Sequence, residues 1–287
     1  MGDTVENPYK IPDDDLPCAI QFSGGRTSGF MLKNILDANP VLPKDFYVLF
    51  QNTGREMEET LRFVHDCSVN FGVKITWLEY RAPYSFEVVG YNSASRNGEP
   101  FEQLIRTRKS LPNVVNKYCS DVLKYRTAKR YMVSLGYKKY RAVVGLRYDE
   151  PSRVRKIHGT KHARQVIWTP LFDAKATKLE VKDFWDNSKF DLNLDNIKGK
   201  TPLGNCDGCF LKSERNLAHL CKHYPDKAEW WDKMEKSKIA TAKSGARFNR
   251  DVSWSQLIDS VDRQTNFDFM DEIGGFCDSI HGTCESF

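Results

Sequence analysis

The sequence predicts an α/β protein: a doubly wound, mostly parallel sheet followed by a smaller helical C-terminal region. Three observations carry this. Apolar strand-like runs, CAIQF (18–22), DFYVLFQNTG (45–54) and VKITWLEY (73–80), are separated by stretches of helical periodicity. The resulting β-α-β-α-β order needs right-handed crossovers and a parallel sheet. The turn FSGGRTSGF (22–30) stands at a strand-to-helix junction, where such sheets bind ligands. Beyond NCDGCF (205–210), two helices are predicted over 213–223 and 225–238.

The elements follow in order. A helix is predicted from about Thr27 to Ala38, after the glycine turn. In MEETLRFVHDCSVNFG (57–72), Leu61, Val64 and Cys67 fall on one helical face, and Gly72 supplies a stop. VKITWLEY alternates and is β-branched. Residues 81–118 read as irregular, with YNSASRNGEP a loop and FEQLIRTRKSLP at most one short helix. DVLKYRTAKRYMVSLG (121–136) is helical and ends at Gly136. YRAVVGLR (140–147) is a fourth strand, 157–172 includes another, and TKLEVKDFWDNS (177–188) is a helix. The expected division is a flexible acidic arm over 1–17, an α/β domain carrying the glycine turn over 18–200, a C-x-x-C loop with helices over 201–250, and an acidic tail over 251–287.

The 287 residues are 40% hydrophobic and 28% charged, as in a soluble globular protein. No apolar run reaches the roughly eighteen residues of a membrane span. MGDTVENPYKIPDDDLP lacks the regions of a signal peptide, so a cytoplasmic location is expected. The net charge of +5 is unevenly spread: 101–165 holds seventeen Lys/Arg against four Asp/Glu, whereas 251–287 holds one Arg against eight Asp/Glu. The basic block, interleaved with Tyr118, Tyr125, Tyr131 and Tyr140, suits an anionic partner such as nucleic acid, or is a solvated surface.

In the glycine turn, Gly24 and Gly25 allow backbone N–H groups to approach an anion, and the next helix adds its unpaired N–H groups. Ser23, Thr27 and Ser28 add hydroxyl donors. The turn is neither GxxxxGK[ST] nor GxGxxG.

Eight cysteines without a secretory signal argue against a disulfide framework. Cys18 and Cys67 read as core residues. Cys206 and Cys209 form a C-x-x-C pair able to aim two thiolates at one metal, or to act as a redox pair. Cys119 precedes a helix, and three thiolates from two loops suit a [4Fe–4S] cluster. Cys221, along a helix about 12 Å from Cys209, is a poor fourth ligand. Cys277 or Cys284 in the glycine-containing tail could complete the set, or the fourth iron could stay open. Zinc on Cys206, Cys209, His219 and His223 is the competing arrangement.

These segments, taken in order, resemble the phosphoadenosine phosphosulfate (PAPS) reductase family of the PP-loop adenine-nucleotide superfamily. SGGRTS is similar to the SGGxDS signature, with Thr27 in place of Asp. FQNTGREMEETLRFV resembles the strand-end DTG segment, with Asn52 in place of Asp. YCSDVLKYRTAKRYM, VVGLRYDEPSRVR, WTPLFDAKATKLEVKDFW and NCDGC resemble further family segments, together covering about 18–215. The resemblance implies an adenine nucleotide (PAPS, its adenylyl relative, or ATP) held by Ser23, Gly24, Gly25, Arg26, Thr27 and Ser28. Asn52, Thr53 and Gly54 would lie beside it, Gly145 against the adenosine, and Arg147 and Arg153 would offer guanidinium forks. Asp149 and Glu150 would hold Mg²⁺ if the ligand is ATP, or pair with the arginines. A cluster would draw on Cys119, Cys206, Cys209 and Cys277. Ser120 stands where iron–sulfur members carry a second cysteine of a doublet. Cys284 would be the tail nucleophile of a sulfonucleotide reductase.

Two reactions are implied: reduction of a sulfonucleotide with a thiol donor, or ATP-dependent sulfur transfer to nucleic acid, either tRNA thiolation or DNA phosphorothioation, from a cysteine-derived donor. A catalytically silent nucleotide-binding module is the third reading.

Overall fold

The computed structural model describes residues 7–195, 201–237, 239 and 246–263. Its centre is a six-stranded sheet of order β4-β3-β2-β1-β5-β6. The strands are β1 (Cys18–Gln21), β2 (Phe46–Asn52), β3 (Ile75–Arg81), β4 (Ser85–Val89), β5 (Tyr140–Val144) and β6 (Gln165–Trp168). All pairs are parallel except β3 with β4. The register sets Ile20 opposite Val48 on one side and Val143 on the other.

Strand alternation builds two cores. Ile20, Val48, Phe50, Trp77 and Val143 face one side, where Met31, Leu32 and Ile35 of α1 (Arg26–Ala38), Leu61 and Val64 of α2 (Glu58–Phe71) and Trp185 also pack. Ala19, Leu49, Leu78 and Ala142 face the other, with Ala128 and Met132. Helices on both faces make the sheet doubly wound, as the alternating order predicts. The chain runs from β1 through α1 to β2, yet β5 lies on the opposite flank of β1. The carboxyl end of β1 is therefore the switch point where such sheets bind ligands.

The span 81–118 is more ordered than its sequence suggests. It contains the antiparallel strand β4 and α3 (Glu99–Arg108), which begins with Pro100 in its first turn. Next come α4 (Tyr118–Ser120), a π-helical stretch Asp121–Arg126, and α5 (Thr127–Ser134). A further helix, α6 (Pro151–Gly159), follows β5, where the sequence reading places no element. After α7 (Pro170–Asp173), α8 (Lys178–Asp186) opens with a capping box in which Thr177 accepts from the Glu180 N–H and Glu180 accepts from the Thr177 backbone N–H. Gly72 ends α2 with φ of 64°, the left-handed stop its position suggests.

Residues 7–17, expected as a frayed arm, are tied to the domain. Asn39 accepts from the Ile11 N–H at 3.1 Å and donates to the Tyr9 carbonyl at 2.9 Å, and Asp14 pairs with Arg141. The C-terminal region holds α9 (Glu214–His223), α10 (Pro225–Lys236) and α11 (Trp254–Arg263). Trp254 and Leu257 of α11 are buried, so the span expected as an acidic tail begins with a packed helix. Trp231 and Trp254 stack at 5.8 Å, joining α10 to α11. No helix among the described residues is long and apolar enough to cross a membrane.

Glu235 fastens this helical region, accepting from the Phe248 N–H at 3.0 Å and the Trp254 N–H at 2.8 Å. Burial pushes its carboxyl above the ordinary 4.5, against the pull of the two amides. The folded protein thus holds this proton to a higher pH than the unfolded chain does. The group's contribution is greatest below 4.5 and declines as pH rises through the raised folded value. Urea denaturation of Glu235→Gln against the parent is expected to show the stability difference moving in the variant's favour across that window. Parallel pH profiles would contradict this.

Candidate nucleotide and thiol site

The turn after β1 is where the sequence places an anion. Gly24 has φ of 78°, and a Cβ there would stand 2.9 Å from Thr60 and 3.1 Å from Phe50 and Val64. Position 24 therefore requires both a left-handed backbone and no side chain. Gly25 is the N-cap of α1 and gives no side-chain cap, at a helix end whose amide donors and partial positive charge suit an anion. Ser28 donates to the Gly25 carbonyl at 2.8 Å, and the hydroxyls of Ser23 and Ser28 lie 3.1 Å apart. From below, Trp185 of α8 donates to the Arg26 carbonyl at 2.8 Å. Arg26 itself turns to Asp191, with Nε 2.7 Å from the carboxylate.

Gly24→Ala is expected to destabilise the protein by about 1–3 kcal/mol through left-handed strain and overpacking. Adenine-nucleotide affinity should fall more than stability alone explains. Thermal denaturation beside isothermal titration checks both, and unchanged affinity would count against the turn.

Arg147 and Arg153 are both engaged by groups of the protein itself. Arg147 is fully buried. Its Nε donates to Asp149 at 2.8 Å, its Nη1 to Thr27 at 3.2 Å, and its backbone N–H to Glu150 at 3.1 Å. Arg153 pairs with the same Glu150. Of the two readings of Asp149 and Glu150, the structure shows the ion pairs. Arg147 thereby ties the loop after β5 to the first turn of α1. Gly145 lies over that turn, where a Cβ would be 3.7 Å from the Ser28 Cα.

The segment after β2 is equally fixed. Asn52 donates to Glu79 at 2.6 Å and to the Ser95 carbonyl at 2.8 Å, and accepts from the Gly54 N–H at 3.0 Å. Thr53 gives both its N–H and its hydroxyl to Glu56, each at 2.9 Å. Glu56 is buried, which pushes its carboxyl upward, and Lys124 of the π-helical stretch opposes this from 3.8 Å.

The C-x-x-C loop docks on this same segment. Cys206 forms a β-bridge with Glu56, and its Sγ lies 3.4 Å from the Thr53 hydroxyl. Between the cysteines, Asp207 is fully buried. It accepts from Arg55 Nη2, the Gly208 N–H and Trp231 Nε1, each at 2.7 Å. Gly208 sits against the Trp231 ring, where a Cβ would be 2.3 Å from Nε1. The Asp207 clamp is not visible in the sequence beyond the C-D-G-C spacing, since Arg55 is 152 residues away.

Cys119 lies half-buried in α4 against the core that includes Cys206 and Cys209. Among the described residues, however, no three His, Cys, Asp or Glu side chains gather to hold a metal ion. For the zinc arrangement, His219 lies 3.1 Å from Asp195 and against the His223 ring, and among the described residues the two histidines do not gather with Cys206 and Cys209 into a metal group. Cys119, Cys206 and Cys209 likewise do not form a ready-made three-thiol site. Cys277 and Cys284 lie outside the described residues. Cys18, Cys67 and Cys221 are buried, and burial pushes the thiols of Cys18 and Cys221 up to about 12. Cys18 and Cys67 are the packing residues their sequence contexts suggest, and Cys221 joins them.

The sheet thus carries a glycine turn and a helix start at its switch point, with a cysteine loop bridged to the segment after the neighbouring strand. The phosphoadenosine phosphosulfate reductase domain matches residues 17–193, and the chain belongs to that family, within the PP-loop superfamily. An uncharacterized nin region protein, ORF290 of Escherichia phage lambda, is 26% identical over 213 residues, covering 71% of this chain and 69% of that one. An uncharacterized protein of Methanocaldococcus jannaschii is 27% identical over 223 residues. That match covers 76% of this chain but only 41% of the relative. The U34-tRNA thiolase NcsA from Methanococcus maripaludis, solved with its [4Fe-4S] cluster, is similar over 88% of this chain and 73% of its own, at 13% identity and a TM-score of 0.40.

Proposed function

We propose that this protein is an enzyme that binds an adenine nucleotide at Ser23–Ser28 and carries out sulfur chemistry beside it, at the thiols of Cys206 and Cys209. The observation that carries this reading is the 3.4 Å contact between Cys206 Sγ and the Thr53 hydroxyl, which sets a cysteine pair against the strand end neighbouring the phosphate turn. Membership of the PAPS reductase family supports the nucleotide. The amides of α1 would hold a phosphate or sulfate, while Arg147 and Asn52 keep the flanking loops in place. A [4Fe–4S] cluster would draw on Cys119, Cys206 and Cys209. The described thiols do not make that donor set as they stand, so no step is assigned to it.

Product assays separate the reactions. With PAPS and a thiol donor, a sulfonucleotide reductase releases sulfite. With ATP and nucleic acid, a sulfurtransferase releases pyrophosphate. One of these products is expected from anaerobically purified protein, and it should disappear in Cys206→Ala while nucleotide binding persists. Nucleotide binding with neither product would instead identify a silent binding module. Absence of adenine-nucleotide binding would overturn the reading of the turn.

A further inference from the structure

A cavity of about 100 Å³ lies beyond the carboxyl end of β3, between the β3–β4 turn, α3 and the π-helical stretch. Arg108, Arg126 and Arg130 line it together with Tyr80, Tyr84 and Thr107, and no carboxylate is among its described lining residues. The volume equals that of about three waters. We propose that this cavity is a subsite for a phosphate group of the acceptor substrate.

Three features carry this. First, Arg130 Nη1 is buried and has no hydrogen-bond partner among the described residues. A buried guanidinium nitrogen is costly to leave unsatisfied, and an oxyanion satisfies it with a charge-assisted bond. Second, the arginines are held by aromatic neighbours: Arg130 lies over the Tyr84 ring at 5.9 Å and Arg108 over the Tyr118 ring at 5.5 Å. Such stacking orients a planar fork without consuming its donors. Third, of the three arginines only Arg126 pairs with a carboxylate among the described residues. Its partner is Asp121 at 2.7 Å, and that pair is about half exposed, at 48% and 39%. Burial, with Arg126 nearby, pushes the Arg130 pKa down, and an entering anion relieves the repulsion between the two.

Position gives the cavity its meaning. The π-helical stretch contributes Val122 and Arg126 to the cavity and Lys124 to Glu56, beside Cys206. A phosphate held here would anchor a substrate whose reacting end reaches the thiols. That role rests on the sulfur-chemistry reading above, whereas affinity for phosphate does not. The phosphate could belong to a nucleic-acid backbone or to a small phosphate ester, and both present the same oxyanion.

The test uses the full-length protein, a labelled single-stranded oligonucleotide followed by anisotropy, and titration with inorganic phosphate. Arg130→Ala combined with Arg108→Ala is expected to weaken the oligonucleotide on the order of tenfold or more. For every phosphate that the variant no longer neutralises, the log–log salt slope should fall by about 0.7. Thr107→Asp, at the exposed rim, should weaken binding with every guanidinium still in place. Adenine-nucleotide affinity should stay unchanged in both the double variant and Thr107→Asp, which separates this site from the turn after β1 and reports folding. Arginine-dependent binding of inorganic phosphate without the oligonucleotide would support the subsite and assign it to a small ester. Binding of both probes unaffected by all these substitutions, or binding of neither, would overturn it.

Discussion

Asp207→Ala is expected to cost about 3–5 kcal/mol of stability, lowering the melting temperature on the order of 10 °C. Asp207 is fully buried between the two cysteines, and its carboxylate is met by Arg55, the Gly208 N–H and Trp231 Nε1. Removing it strands the Arg55 guanidinium, itself 2% exposed, against the Trp230 ring 4.6 Å away. Loss of the ion pair is only part of the effect; the larger part is a buried cation without its anion. A double variant, Arg55→Met with Asp207→Ala, should therefore recover much of the stability. Asp207→Asn should be milder, since it can still accept from Trp231 and Gly208. The C-x-x-C loop should also become more reactive to alkylating agents, because the clamp holds it on the strand end. A single-variant cost below about 1 kcal/mol would show that the clamp is not what fixes the loop.

Arg147→Ala is expected to be comparably destabilising, by about 3–5 kcal/mol. Glu150 is 5% exposed and receives both Arg147 and Arg153, so loss of Arg147 leaves a buried carboxylate short of a partner. The same change frees the Thr27 end of the phosphate turn, so adenine-nucleotide affinity should drop with stability. Arg147→Lys should rescue little, because one ammonium cannot reach Asp149, Thr27 and Glu150 in three directions. Full rescue by lysine would mean that charge alone matters at this position. Chemical denaturation and nucleotide titration on both variants decide it.

Much of the framework is legible in the sequence because its signals are local. Of the four inner strands, β1, β2 and β5 read as apolar runs, and the Ser-Gly-Gly turn marks the switch point. Gly72 carries its structural meaning directly. Other elements are hidden for identifiable reasons. Strand β4 is a mostly exposed edge strand, SFEVV, whose pairing with β3 replaces the apolar signal. Helix α6 announces itself only by Pro151 at its start, inside a run of charges. The π-helical turns at Asp121–Arg126 have no propensity signature distinct from an α-helix. In α11, the i, i+3, i+4 spacing of Trp254, Leu257 and Ile258 carries a helix signal that the surrounding acidity obscures.

The candidate site divides along the same line. Its backbone features, the glycines and the uncapped helix start, are sequence-local. The roles of Arg147 and Asp207 are not, because each depends on partners that the fold brings from distant segments. A guanidinium in a phosphate-binding family reads as a ligand for the phosphate. The fold buries Arg147 and directs its side chain to Asp149, Thr27 and Glu150.

The central claim is that nucleotide and thiols share one site. The most direct measurement is the alkylation rate of Cys206 and Cys209, followed by mass spectrometry, with and without saturating PAPS or ATP. At least one nucleotide is expected to slow alkylation of this pair severalfold, with Cys18 unreactive throughout. Saturable nucleotide binding that leaves the Cys206 and Cys209 rates unchanged would contradict the account.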